Sequence, residues 1–168
     1  MKLSSICLLA VAFSITVSAQ AGQTAKPATG TKPAAAAAGT GKPRTIELVG
    51  SEKMQYDKAE IVAKPGETIR IVLKAEGTMP KTIMAHNFVL LKPGVDAVEF
   101  NKSAFNARET NFIPPDKKAD VIAATPLAGA GETVEVTFKV PAKPGSYNYL
   151  CSVPGHFAMG MRGKLVVK

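Results

Sequence analysis

Two runs of alternating side chains constrain this chain more than any other feature of it. Thr68-Ile69-Arg70-Ile71-Val72-Leu73-Lys74 and Val134-Glu135-Val136-Thr137-Phe138-Lys139-Val140 each place an apolar side chain at every second residue. That is the period of a β-strand with one face buried and the other in water. Shorter β-type runs lie at Ile46 to Val49, Glu60 to Ala63, Asn87 to Leu91, Ser146 to Leu150 and Lys164 to Val167. Lys64-Pro65-Gly66-Glu67 and Lys143-Pro144-Gly145-Ser146 separate some of them, with Pro presetting one turn dihedral and Gly free to take the other. The pattern predicts an all-β fold, a two-sheet antiparallel β-sandwich with Greek-key connections. Phe100 to Gly131 does not keep the strand rhythm, so a short helical excursion between strands is expected there, over Lys102 to Glu109 and ended by Pro114-Pro115.

The first residues read as an export signal. Lys2 precedes an apolar run from Ile6 to Val17, and Ala19-Gln20-Ala21 has the small-x-small form of a cleavage site. The run is too short to span a bilayer and contains Ser14 and Thr16. Residues 1–21 are therefore expected to be a signal peptide, the mature chain to have no transmembrane span, and the protein to be exported, periplasmic or on the outer face of the cytoplasmic membrane. Residues 22–43 are nearly all Ala, Thr, Lys, Pro and Gly and hold too little apolar surface to offset their ordering entropy. They are read as a flexible leader or tether before one domain at 44–168. The formal charge is +8, but Lys2, Lys26, Lys32, Lys42 and Arg44 all stand at or before the start of that domain. Beyond them positive and negative residues are interspersed, which is an ordinary solvated surface, so no nucleic-acid partner is expected. The domain is expected to act as a monomer.

Of two cysteines in the chain, Cys7 lies in the signal peptide, so Cys151 is left alone in a compartment where thiols normally pair. A lone buried cysteine is commonly a small hydrophobe. Here, however, Cys151-Ser152-Val153-Pro154-Gly155-His156-Phe157-Ala158-Met159-Gly160-Met161 puts a thiol, an imidazole and two thioethers on one loop between two β runs. The only other histidine, His86, opens an earlier β run. Two imidazoles, one thiolate and a weak axial thioether form the donor set of blue-copper sites, with soft sulfur suiting Cu(I) and nitrogen suiting Cu(II). Zinc accepts the same thiolate and imidazoles, but a thioether is a poor ligand for it and structural zinc sites generally use several thiolates. A cysteine nucleophile with a histidine base is the other chemical reading, and no Asp or Asn stands beside a histidine to orient it except Asn87. Met159 and Met161 both remain open as the thioether donor on these grounds.

Met79-Pro80-Lys81-Thr82-Ile83-Met84-Ala85-His86-Asn87-Phe88-Val89-Leu90 and Cys151-Ser152-Val153-Pro154-Gly155-His156 resemble the two ligand-bearing segments of the azurin and auracyanin branch of the cupredoxins, and the likeness runs from Thr45 to Lys168. It implies a cupredoxin-like sandwich holding one type 1 copper ion, with His86, Cys151 and His156 as ligands and Met161 as the axial one. Met161 is chosen because auracyanins and plastocyanins carry that methionine five residues after the second histidine. Asn87, with Ala85 and Ser152, is implied to support the ligands from behind. The resemblance also implies an electron carrier without catalytic residues that docks redox proteins transiently around His156, through Met84, Pro154, Phe157, Ala158 and Met159. Lys81, Arg162 and Lys164 would steer acidic partners. Ala85 replaces an azurin glycine, and the azurin disulfide cannot form with one mature cysteine. Periplasmic copper delivery is the alternative function; a catalytic copper would need more histidines than the chain has.

Overall fold

The computed structural model describes residues 42–168. The expected signal peptide at 1–21, and the expected leader at 22–43 apart from its last two residues, lie outside the described residues. Eleven strands and one α-helix are present among those described. In chain order they are β1 (Arg44–Ser51), β2 (Gln55–Tyr56), β3 (Glu60–Ala63), β4 (Thr68–Glu76), β5 (Ala85–His86), β6 (Val89–Leu91), α1 (Ala97–Ala104), β7 (Val121–Ala124), β8 (Ala128–Gly129), β9 (Thr133–Lys139), β10 (Gly145–Leu150) and β11 (Arg162–Val167).

One sheet has the order β2-β1-β4-β9 and the other β3-β11-β10-β6-β7, while β5 and β8 form a separate pair. The alternation read in the sequence sets this register. Ile69 and Ile71 on β4 lie opposite Phe138 and Val136 on β9, and Ile46 and Leu48 on β1 lie opposite Ile71 and Leu73. These inward residues meet Phe88, Leu90, Tyr147, Tyr149 and Leu165 from the second sheet in one core. The sandwich is not purely antiparallel: β1 runs parallel to β4 and β3 runs parallel to β11. Period-2 patterning fixes which face of a strand is buried and is silent on strand direction, so this difference could not be read from the alternation.

The helix also lies earlier than expected, at Ala97–Ala104 rather than Lys102 to Glu109. Asp96 fixes its start, its carboxylate accepting from the Val98 and Glu99 amides at 2.7 and 3.2 Å, the usual role of an N-cap side chain. Phe100 and Ala104, one turn apart, are both buried, and Phe100 joins a second apolar cluster with Val89, Leu91, Leu150 and Phe157. The segment after the helix returns to the sheets instead of staying outside them. β7 pairs with β6 and β8 pairs with β5, so this segment covers the strand that carries His86. No helix among the described residues is long and apolar enough to cross a membrane.

Candidate metal centre

His86 ends β5, and Asn87 and Phe88 link it to β6. Cys151 is the first residue after β10, and the loop from there to Met161 leads directly into β11. Hydrogen bonds within that loop draw it tight. The His156 amide donates to the Val153 carbonyl at 3.2 Å, the Met161 amide to the His156 carbonyl at 3.0 Å, and the Cys151 amide to the Met161 carbonyl at 3.0 Å. Gly155, after Pro154, takes φ 87°, a dihedral that side-chain-bearing residues rarely adopt. The loop thus turns back on itself and brings Cys151, His156 and Met161 to one point.

At that point the donor atoms of His86, Cys151 and His156 all lie within 4.8 Å of one another. Nδ1 of His86 and Nδ1 of His156 are 3.2 Å apart, and Sγ of Cys151 is 3.5 Å from the latter. The three residues are 1%, 0% and 3% exposed. Burial pushes the Cys151 thiol up to about 12, although the Asn87 and Val153 backbone amides both donate toward the sulfur. Burial, and then the neighbouring His86, push His156 down to about 4; burial likewise holds His86 below its ordinary value. Two uncharged imidazoles with converging nitrogens, and a buried sulfur facing two amide donors, fit a soft metal cation that takes nitrogen and thiolate ligands. An activated nucleophilic thiol has its pKa lowered, and burial moves Cys151 the other way.

The two methionines separate cleanly. Met161 is fully buried and packs with Cys151 and Val153 against Tyr56, Phe112 and Leu127, whereas Met159 is 57% exposed. Gly50 on β1 lies beneath this cluster, where an added Cβ would stand 2.8 Å from Met161 Cε and 3.3 Å from His86 Cγ. Gly50→Ala is therefore expected to overpack the centre and lower stability by about 1–3 kcal/mol, read as an earlier denaturant midpoint. A change below about 0.5 kcal/mol would mean that Met161 and His86 are free to move away.

Asn87 ties the two ligand segments together. Its Oδ1 accepts from the Ser152 amide at 2.9 Å, and its Nδ2 donates to the Asn111 carbonyl and to Ser152 Oγ, both at 2.9 Å. Asn87 and Ser152 are both fully buried. Tyr56, which no sequence pattern had marked, donates its phenolic O–H to the Asn87 carbonyl. Burial holds that phenol well above its ordinary value. Ala85 is buried beside His86 and shares with His156, Ile83, Pro154, Lys81 and Arg108 the wall of a cleft of about 230 Å³.

The residues expected to form a docking surface do not stay together. Ala158 and Met159 are exposed, and Met84 and Pro154 are half-buried. Phe157 is buried in the cluster with Phe100 and Leu150, and the Arg162 guanidinium sits 4.8 Å from its ring centroid. Phe157 is therefore a core residue, because its loop turns that side chain under α1. Ile83 was missed by sequence reasoning, yet it is 69% exposed at the mouth of the cleft beside His156. Among Met79, Pro80, Met84 and Ala85 in the same loop, nothing in the sequence singled it out as the exposed one beside His156. Lys81 is paired with Glu132 at 2.6 Å, so its charge is largely compensated.

A β-sandwich with two imidazoles and one thiolate buried at one end is the architecture of a small copper-binding protein. Residues 45–168 match the profile of "copper binding proteins, plastocyanin/azurin family", and the chain belongs to that family, as a cupredoxin-like blue copper protein whose cofactor is copper. It is similar to auracyanin-A of Chloroflexus aurantiacus, with 40% identity over 74% of this chain and 75% of that one. It is likewise similar to azurin-1 of Alcaligenes xylosoxydans xylosoxydans, with 39% identity over 72% and 95%. Among solved structures, auracyanin A of Chloroflexus aurantiacus, described as a "blue" copper protein, superposes with a TM-score of 0.67 at 39% identity, covering 76% of this chain and all of that one. An azurin from Methylomonas sp. strain J gives 0.65 at 35% identity, over 74% and 98%.

Proposed function

We propose that this protein is an exported one-electron carrier whose type 1 copper is held by His86, Cys151 and His156, with Met161 as the axial ligand. The observation that carries the reading is the convergence of three buried donor atoms within 4.8 Å on the segments that lead into β6 and join β10 to β11, neighbouring strands of the five-stranded sheet. Copper bound there would supply one-electron chemistry between Cu(I) and Cu(II). The chain's own part is to hold the donors fixed, so that little has to move as charge changes, and to exclude water. Asn87 and Ser152 brace the loop, and the Asn87 and Val153 amides face the sulfur. Redox proteins would dock on the apolar surface beside His156 formed by Met84, Pro154, Ala158, Met159 and Ile83. Electron-transfer interfaces are small and short-lived, so a modest patch suffices. In this reading the domain works as a monomer, and the leader tethers it or leaves it free in the periplasm.

The absorption spectrum of the copper-loaded protein tests this proposal. An intense visible charge-transfer band is expected, and a copper-loaded protein without one would rule out a thiolate ligand. Met161→Ala is expected to shift that band and the reduction potential. Met159→Ala, at an exposed position, is expected to leave both in place. The reverse outcome would reassign the axial ligand.

A further inference from the structure

We infer that Tyr56 is a positioning residue for the thiolate ligand, acting through the backbone of Asn87. Its hydroxyl donates to the Asn87 carbonyl, and no other hydrogen-bond donor reaches that carbonyl among the described residues. The same residue presents its amide N–H to Cys151 Sγ and its side chain to the Ser152 amide. Two contacts that shape the surroundings of the sulfur therefore hang on the orientation of Asn87, and Tyr56 secures it from β2. The phenol ring packs on Cys151 and Met161 and is held from behind by Tyr149, whose ring centroid is 5.7 Å away. The Tyr149 hydroxyl takes no part in that ring contact; it donates to the Lys58 carbonyl at 2.6 Å. A hydrogen bond toward a thiolate draws electron density from the sulfur, and hydrogen bonding around the cysteine sulfur tunes the potential of such centres. Losing the Tyr56 bond lets the Asn87 amide drift from the sulfur and leaves the thiolate a stronger donor to the oxidised metal.

Tyr56→Phe isolates this effect, because it keeps the ring and removes only the hydroxyl. In the metal-free protein, NMR-detected exchange of the Asn87 backbone amide proton is expected to become about fivefold faster, the factor carried by one neutral hydrogen bond. In the copper-loaded protein the charge-transfer band is expected to move and the reduction potential to fall. Tyr149→Phe is the control: it also deletes a buried hydroxyl from the same aromatic pair, but one bonded to Lys58, and should leave the band and the potential where they are. If Tyr56→Phe lowers stability while leaving band and potential unmoved, or if Tyr149→Phe moves them equally, Tyr56 is structural only and the inference is overturned. Unchanged Asn87 exchange overturns it as well. The inference rests on the ligand assignment proposed above, whose failure would appear as a missing band in the unsubstituted protein rather than as a difference between variants.

Discussion

Asn87→Ala is expected to lower the stability of the metal-free protein by about 2–4 kcal/mol, the cost of stranding buried polar partners. The Asn87 carboxamide is the hydrogen-bond acceptor for the Ser152 amide, and it donates to the Asn111 carbonyl and the Ser152 hydroxyl. Ser152 is fully buried, so water cannot replace the lost acceptor without opening the loop that carries Cys151. Denaturant unfolding of the metal-free protein reads this as an earlier midpoint at unchanged slope. Asn101 supplies the comparison within the same chain. Its Nδ2 is buried in α1 without a partner among the described residues, so Asn101→Ala removes no bond, places a better helix former in the helix, and is expected to be neutral or stabilising. Equal losses at the two positions would mean that Asn87 acts by filling space and not by joining the His86 and Cys151 segments.

The contrast between these asparagines also shows where reading the sequence stops. Ile69, Ile71, Val136 and Phe138 announced their buried face because a strand shows its environment at every second residue, and the inward residues of β4 and β9 followed from that. His86, Cys151 and His156 were legible for a different reason: a lone thiol and two imidazoles carry chemistry, and that chemistry narrows what they can be doing. Tyr56 had no such signal. Its place under Asn87 depends on β2 pairing with the end of β1, with Gly50 opposite Tyr56, and such a tertiary contact leaves no local period. Phe157 was misread for the same kind of reason. It sits beside a ligand in sequence, but whether its ring faces water or α1 depends on how the Pro154-Gly155 turn directs the loop. The strand pairs β6–β7 and β5–β8 escaped because Val121–Ala124 is apolar throughout and Ala128–Gly129 is too short to alternate.

Cys151 is expected to give up one proton per chain when the protein is loaded with copper at pH 7, while the two histidines give up none. The thiol is pushed up to about 12 and must ionise to act as a ligand. His156 is pushed down to about 4 and His86 also below its ordinary value, so both are already neutral at pH 7. Copper affinity should therefore rise about tenfold per pH unit between roughly pH 7 and 9, one proton being displaced per metal, and more steeply in acid, where histidine protons must leave too. Calorimetry in buffers of different ionisation enthalpy counts these protons, and Cys151→Ser should abolish the one released at pH 7. A release near zero at pH 7 would mean that the thiolate exists before the metal arrives. The same groups set the stability of the metal-free protein. A histidine lowered in the folded state leaves the unfolded chain as the better proton binder, so stability falls as pH drops from 6.5 through about 4. A thiol raised from 9.0 to about 12 ionises first in the unfolded chain, so stability also falls as pH climbs across that interval. Metal-free protein should thus be most stable between those windows as far as these groups decide it. Copper adds stability to the extent that it binds the folded state more tightly than the unfolded chain, and that gain should shrink fastest toward acid, where protons compete for the imidazoles as well as the thiolate.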